Sequence, residues 1–162
     1  MSQRKVSVRT SNSSPTADAG ALGEELVAKW LQQQGWTILQ QRWHCRWGEL
    51  DLVAGHRQAK ATQFTTIAFV EVKTRRVRNW DEDGKLAITP QKQAKLWKAA
   101  QLFLLHHPHL AELPCRFDVA LVNCEKLSGA VDLSTVDGTT VAIVKGYRLS
   151  LSEYIQDAFT AD

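Results

Sequence analysis

An α/β fold, in which helices flank a mixed central sheet, is predicted from three observations. The segments follow the order helix, strands, helix, strand along the chain. Two runs, GELDLVA and FVEVKTR, alternate apolar residues with other residues at the two-residue period of a pleated strand. The length of 162 residues and the hydrophobic content of 44% suffice for one domain with its own core. We therefore expect one domain organised around these two strands.

The chain is predicted to divide into a tail and this domain. Residues 1–18 carry Ser, Thr and basic side chains and lack the apolar stretch of a secretory signal. That composition favours a disordered tail, with a nucleic-acid-binding arm as the alternative. Residues 19–162 then form the single domain, and no apolar run is long enough to predict a membrane span.

The three cysteines indicate the compartment. Cys45, Cys115 and Cys124 are odd in number and show no C-x-x-C spacing, which argues against a disulfide framework and against a zinc site. We expect a cytoplasmic protein that does not associate with membranes.

The first half of the domain reads as one helix and three strands. Residues 20–34 are predicted to be helical and to stop at Gly35. Residues 36–46 form the first strand. The GELDLVA and FVEVKTR runs follow, joined by a polar turn at residues 55–62, and they are expected to pair antiparallel.

The second half begins with a capped helix, in which Thr89 is the N-cap and Pro90 lies in the first turn. Its apolar face is predicted from four residues: Ala94, Trp97, Leu104 and Leu105. Residues 115–122 form a strand and residues 140–144 an edge strand. The pattern Ser150-x-x-Glu153 resembles a capping box, which predicts a closing helix through Phe159.

Alternation places charged side chains together on the hairpin of the two central strands. Glu49 and Asp51 share one face of the first strand, and Glu71, Lys73 and Arg75 share one face of the second. If these faces meet, three carboxylates and a lysine converge. Crowded carboxylates repel one another unless a cation or hydrogen bonds compensate. Oxygen ligands suit Mg²⁺ or Mn²⁺ rather than zinc.

These residues resemble a known motif. Asp51 followed by Glu71-Val72-Lys73 resembles the signature of the PD-(D/E)XK superfamily of restriction-endonuclease-like nucleases. Together with GEELVAKWL upstream and CRFDVALV downstream, the motif is similar to the YraN-like family of uncharacterised bacterial proteins. The resemblance covers residues 20–122. It implies a restriction-endonuclease-like, three-layer α/β/α fold with a mixed central sheet, and a metal-dependent endonuclease.

The resemblance also implies roles for residues of the motif. Asp51 and Glu71 are expected to hold Mg²⁺ or Mn²⁺, with the Val72 carbonyl as a further ligand. Lys73 is expected to position the attacking water, and Glu49 to assist.

Glu24 is the remaining candidate catalytic residue. It shares a helix face with Val27, Ala28 and Leu31, although it is an acid. The resemblance places a glutamate of the first helix in the active site of several branches of the superfamily. The alternatives are a side chain that reaches solvent at the edge of the apolar face, or an acid favoured by the helix dipole.

Nucleic acid is the expected partner, with DNA favoured over RNA, and branched DNA is one candidate substrate. Residues 73–98 contain eight Lys or Arg and three acidic residues, which would attract a polyanion to the site. Arg42, Arg75, Arg76 and Lys92 are the predicted phosphate contacts. Alternatively, Arg42 is a solvated charge on a strand and Lys92 an ordinary exposed lysine. Trp43 and Trp47 are expected to pack, with base stacking as the alternative. A homodimer agrees with the resemblance.

Two other functions stay open from the sequence. The first is a non-catalytic nucleic-acid-binding module that assists DNA repair, recombination or uptake. The second is a structural or protein-interaction domain whose charged strand faces are simply solvated.

Overall fold

The structure is a computed structural model that describes residues 15–76, 88–128 and 140–160, with side chains from residue 19 onward. Within these ranges the chain forms the following elements: α1 Pro15–Gln33, β1 Trp36–Cys45, β2 Gly48–His56, β3 Thr66–Arg76, α2 Pro90–His106, a short 3-10 turn Pro108–Leu110, β4 Cys115–Lys126, β5 Val141–Val144 and β6 Tyr147–Phe159. The first fourteen residues of the predicted tail lie outside the described residues. Helix α1 begins five residues before its predicted start.

The six strands form one sheet in the order β1-β2-β3-β4-β6-β5. The neighbours β3 and β4 are parallel, and every other neighbouring pair is antiparallel. A parallel pair needs a crossover connection, and α2 lies in the segment that joins β3 to β4. The predicted α/β fold with a mixed sheet is therefore confirmed, and so is the antiparallel pairing of β2 with β3.

The two helices cover opposite faces of this sheet. Ile67 and Phe69 of β3 belong to the core beneath α2, whereas Ala68 and Val70, which alternate with them, belong to the core beneath α1. A helix on each face of one sheet gives the three layers that were expected.

Aromatic rings form the centre of the α2-side core. Phe69 of β3 stacks on Phe117 of β4 with ring centroids 5.2 Å apart, and Phe103 of α2 meets Phe69 edge-on at 6.0 Å. All three side chains are fully buried. Burial of one such side chain stabilises the fold by about 1.5–3 kcal/mol, so these rings fix α2 against the middle of the sheet.

The α1-side core brings the helix unusually close to β3. Leu26, Val27 and Leu31 are buried against the sheet. One turn earlier, a methyl group added to Gly23 would overlap the hydroxyl of Thr74 on β3. Glycine therefore permits the close approach of the two backbones. This approach sets the position of the next residue, Glu24.

The predicted closing helix is wrong. Residues 147–159 form β6, which lies between β4 and β5 and pairs with both of them. Leu149 of β6 is fully buried, and the hydroxyl of Ser152 donates a hydrogen bond to the Leu121 carbonyl at 3.1 Å. The capping-box pattern is a local helix signal, and pairing with two neighbouring strands outweighs it here. The predicted edge strand at residues 140–144 is confirmed as β5.

The start of α2 is confirmed, and its predicted apolar face is half right, because Trp97 and Leu104 pack against the core whereas Ala94 and Leu105 are exposed. The Thr89 hydroxyl accepts a hydrogen bond from the Lys92 amide at 3.2 Å, and Pro90 follows in the first turn. The buried residues of the helix are Leu96, Ala99, Ala100 and Phe103. Trp97 is half-buried beside Phe117, whereas Leu105 is 76% exposed. The predicted residues therefore flank the face that meets the sheet, and its centre was missed.

Candidate functional site

Strands β2 and β3 separate at the two predicted acidic residues. Their pairing runs from His56 opposite Thr66 to Leu52 opposite Val70. The next residue is Asp51 on β2 and Glu71 on β3. There the Val72 amide donates a hydrogen bond to Asp51 Oδ2 at 2.8 Å. A side chain thus replaces the ladder bond, and the Asp51 carboxylate is held in the gap that opens between the strands.

Three carboxylates converge at this gap. Glu24 of α1 and Glu49 and Asp51 of β2 each offer a carboxylate oxygen, and the three oxygens lie within 4.8 Å of one another. All three residues are half-buried. The close contact between Gly23 and Thr74 places Glu24 at the site. The alternation along β2 places Glu49 and Asp51 there. Glu49 and Asp51 therefore converge as predicted, and Glu24, for which the sequence left alternatives open, lies with them.

Burial and crowding act on Asp51 together. Desolvation raises the pKa of the Asp51 carboxyl to about 8, and the neighbouring charges of Glu71 and Glu24 contribute to this rise. The hydrogen bond from the Val72 amide opposes the shift. The charged form of Asp51 is therefore unfavourable unless a cation joins the group, since a nearby positive charge favours the ionised carboxylate.

Glu71 lies beside Asp51 and is compensated by two lysines. Its side chain is only 6% exposed. Lys73 Nζ lies 3.3 Å from Glu71 Oε1, and Lys92 Nζ, which comes from the first turn of α2, lies 3.5 Å from the same oxygen. The structure thus brings together Asp51, Glu71 and Lys73, as predicted. It also places Lys92 on the Glu71 carboxylate.

Arg42 neutralises one of the three converging acids. Arg42 Nε donates a hydrogen bond to Glu24 Oε2 at 2.6 Å. Arg42 adopts the left-handed conformation, with a φ of 49°, two residues after the register of β1 shifts against β2. This backbone conformation is uncommon for a residue with a side chain. Arg42 therefore lies at the site through its contact with Glu24, and its contact with phosphate stays a prediction.

Residues 23–122 match the family model described as Uncharacterised protein family UPF0102. The chain belongs to this family. A UPF0102 protein from Acaryochloris marina is 50% identical over 94% of this chain and 95% of its own length. One from Trichodesmium erythraeum is 50% identical over 88% of each chain, and one from Synechocystis is 43% identical over 88% of this chain and 97% of its own. The predicted family membership is confirmed.

The other predicted phosphate contacts of this UPF0102 chain lie near the end of β3. Arg75 Nε donates a hydrogen bond to Asn123 Oδ1 of β4 at 3.1 Å, whereas Arg76 is exposed. Residues 77–87 of the predicted basic stretch lie outside the described residues. Asn123 was missed by the sequence reasoning, because only the parallel register of β3 and β4 places it opposite Arg75.

A second polar cluster lies within the sheet. Two residues of β4 form an ion pair, with Arg116 Nε 3.1 Å from Asp118 Oδ1. Asp118 is fully buried, and it also accepts hydrogen bonds from the Tyr154 hydroxyl at 2.7 Å and from the Asp157 amide at 2.9 Å. Those two partners were missed because β6 was predicted to be a helix. Every contact of Asp118 is internal, which agrees with a structural role in this family member.

The two tryptophans at the end of β1 pack as expected. Trp43 meets Phe103 edge-on with ring centroids 5.4 Å apart, and Trp47 is half-buried against the α2-side core. Across the described ranges of this UPF0102 protein, helices long and apolar enough to cross a membrane are absent.

Proposed function

We propose that this protein is a metal-dependent endonuclease that hydrolyses phosphodiester bonds in nucleic acid, with DNA as the preferred substrate. One observation carries the proposal. The carboxylates of Glu24, Glu49 and Asp51 converge within 4.8 Å of one another, beside a buried glutamate whose carboxylate contacts Lys73. Acids of one sign rarely crowd at a half-buried position unless a cation compensates them.

The donor set fits a hard divalent cation. Carboxylate oxygens without cysteine or histidine suit Mg²⁺ or Mn²⁺. Asp51 is the central ligand, because its carboxylate is fixed by the Val72 amide and has a raised pKa that a cation would lower. Glu24 and Glu49 complete the carboxylate group. Glu71 and the Val72 carbonyl are the further ligands expected from the motif. When bound, the cation supplies a water of lowered pKa and neutralises charge on the phosphate.

The lysines supply the remaining chemistry. Lys73 Nζ donates a hydrogen bond that orients the attacking water, and its charge stabilises the negative charge that develops on the phosphate. Lys92 offers a second ammonium group from the N-terminal turn of α2, where a bound anion is also favoured by the helix dipole. Arg42, Arg75 and Arg76 contact flanking phosphates.

Cleavage of a mixed substrate panel tests this function. The panel contains linear duplex, single-stranded and branched DNA together with RNA, incubated with Mg²⁺ or Mn²⁺ and with EDTA as the control. Asp51→Asn retains the shape of the side chain and an acceptor for the Val72 amide, and Lys73→Met removes the ammonium group. Glu24→Gln is paired with Glu25→Gln, since Glu25 is the exposed neighbour on the same helix. We expect metal-dependent cleavage that is lost in the first three variants and retained in Glu25→Gln.

Two results would contradict the proposal. Cleavage that persists in Asp51→Asn and Lys73→Met would identify a contaminating nuclease. A parent protein that cuts no member of the panel would exclude the endonuclease for these substrates.

A non-catalytic nucleic-acid-binding module is the second candidate, and one observation favours it. Two of the acids already have internal partners, since Glu24 contacts Arg42 and Glu71 contacts two lysines. A site that is compensated from within can persist without a metal. Binding of nucleic acid with a strong dependence on salt, together with the absence of cleavage, would support this module.

A further inference from the structure

Helix α2 presents lysines to solvent and contains no acidic residue. Lys92, Lys95 and Lys98 are exposed and follow one another at three-residue intervals. Each interval rotates the side chain by about 60° and advances it by about 4.5 Å along the axis, so the three lie in one sector of the helix. This row of three lysines starts at the carboxylate site, where Lys92 Nζ lies 3.5 Å from Glu71 Oε1.

The row of lysines on α2 ends at the turn between β1 and β2. Lys98 Nζ lies 4.3 Å from the centroid of the Trp47 ring, and Arg46 Cζ lies 5.0 Å from the same ring. Trp47 is half-buried against the α2-side core, so its ring is a fixed platform. A cation over an indole ring is attracted to the π-system. The same ring thus contacts two positively charged groups.

Three of these cations have no acidic partner among the residues that the structure describes. In the described part of the chain, no ion pair joins Arg46, Lys95 or Lys98 to a carboxylate. We call these three residues the basic track. Like charges held close together repel one another, and a polyanion is the ligand that relieves this repulsion and gains from the release of its own counterions. The track therefore has the chemistry of a phosphodiester-binding surface.

We infer that the basic track binds the backbone of a nucleic-acid strand next to the segment that enters the carboxylate site. The inference rests on the proposed function and adds the path of the strand, which runs from the site along α2 to the β1–β2 turn. From Lys92 to Lys98 the helix rises about 9 Å, which matches the rise of two to three nucleotides in one strand. Trp47 is a positioning residue, because it holds Arg46 and Lys98 ready for the phosphates.

The test compares two triple variants of equal charge. Arg46→Gln/Lys95→Gln/Lys98→Gln removes the track. Arg57→Gln/Lys29→Gln/Lys60→Gln is the matched control, since it also removes two exposed lysines and an arginine that lies over an aromatic ring, here Phe64 at 4.0 Å. The control residues Arg57 and Lys60 follow the far end of β2. Affinity for a labelled DNA duplex and for the corresponding single strand is measured by fluorescence anisotropy in EDTA, over about 50–200 mM salt.

Loss of three phosphate contacts has a defined signature. The slope of log K against log salt becomes shallower by about 2.7 for duplex DNA and by about 2 for a single strand. The control triple keeps the slope of the parent. We also expect Trp47→Leu to weaken binding although it removes no charge, with its fold checked by circular dichroism.

Equal slopes in the two triple variants would overturn the inference while leaving the proposed function intact. A parent protein that binds neither the duplex nor the single strand would also overturn the inference, while cleavage of the substrate panel decides the proposed function separately. Weaker binding in the track variant, combined with the absence of cleavage by the parent, supports the track and rejects the endonuclease. If Trp47→Leu binds as tightly as the parent, the positioning role of Trp47 is wrong.

Discussion

Asp51 and Val72 are joined by a hydrogen bond at the point where their strands stop pairing. The Val72 amide donates to Asp51 Oδ2 at 2.8 Å. Asp51 is one residue, and Val72 two residues, beyond the last paired position, Leu52 opposite Val70. The bond holds the carboxylate in place without a full strand ladder. The same carboxyl group lies next to Glu24 and Glu49. A folding interaction therefore prepares the acid for a ligand.

The raised pKa of Asp51 predicts that the metal-free protein loses stability as the pH rises. The pKa is about 4 in the unfolded chain and about 8 in the folded one, so between these values the folded state binds more protons. The free energy of unfolding then falls as the pH increases through this window. Each unit of pKa shift corresponds to about 1.4 kcal/mol, so even part of the shift changes the free energy of unfolding by a measurable amount. Urea denaturation in EDTA at several pH values provides the measurement.

Asp51→Asn is the control for this pH dependence. The amide cannot ionise, so the variant loses less stability between about pH 5 and pH 8 than the parent. Addition of Mg²⁺ near pH 8 is expected to stabilise the parent, by about 2.7 kcal/mol at a hundredfold excess over Kd, and to leave Asp51→Asn unchanged. Parallel pH profiles for the two proteins would show that Asp51 does not titrate as described.

Arg42 is expected to compete with a divalent cation for Glu24. Arg42 Nε lies 2.6 Å from Glu24 Oε2, but the arginine side chain is 47% exposed. An exposed ion pair contributes about 0.2–1 kcal/mol, so Arg42→Gln should tighten Mg²⁺ binding by about 1.4- to fivefold. Isothermal titration calorimetry measures the affinity. Arg46→Gln is the control, because it removes the same charge just after β1 without freeing a carboxylate. Weaker or unchanged Mg²⁺ binding in Arg42→Gln would contradict the competition.

The central hairpin of this site could be predicted from the sequence because its signals are local. Alternation alone places Asp51 on β2 and Glu71 on β3, and the polar turn between the strands implies their antiparallel pairing. The contacts of Glu71 with Lys92 and of Glu24 with Arg42 could not be read in this way. They depend on where α2 crosses the sheet and on a left-handed residue in β1.

The error at β6 has the same physical origin. The Ser150-x-x-Glu153 pattern is a correct local helix signal, but the strand satisfies its backbone by pairing with β4 and β5. Pairing partners that are distant in sequence leave no local trace, so a strand between them can resemble a helix start. The hydrogen bond from Tyr154 to Asp118 was lost with that misassignment.

Gly23→Ala is expected to destabilise the fold, although alanine is normally the better helix residue. The added methyl group would overlap the Thr74 hydroxyl and push α1 away from β3. Overpacking of this kind costs about 1–3 kcal/mol. Gly20→Ala, in the same helix, meets nothing within 4 Å and should stabilise by about 0.5–1 kcal/mol. Thermal denaturation compares the two variants.

A second substitution tests whether contact with Thr74 causes the loss of stability in Gly23→Ala. Thr74→Ala removes the hydroxyl that the methyl group meets, so Gly23→Ala/Thr74→Ala should be more stable than the two separate losses would predict. Additive losses would show that Gly23 is required for a reason other than its approach to Thr74.

Asp118→Ala is expected to cause a large loss of stability. The carboxylate is fully buried and compensates Arg116, and it also accepts hydrogen bonds from Tyr154 and from the Asp157 amide. Removal of one partner from a buried ion pair costs about 3–5 kcal/mol, because the other charge is left uncompensated. Tyr154→Phe removes one hydrogen bond to a charged group and should cost about 1.5–3 kcal/mol. Urea denaturation gives both values.

Activity distinguishes this structural role from a catalytic one. Because every contact of Asp118 is internal, Tyr154→Phe, which stays folded by this expectation, should cleave or bind nucleic acid as the parent does per folded molecule. An activity loss in Tyr154→Phe without a loss of stability would place the Asp118 cluster in the functional site instead. The same measurement on Asp51→Asn should give the opposite pattern, with activity lost and the metal-free fold more stable near pH 8.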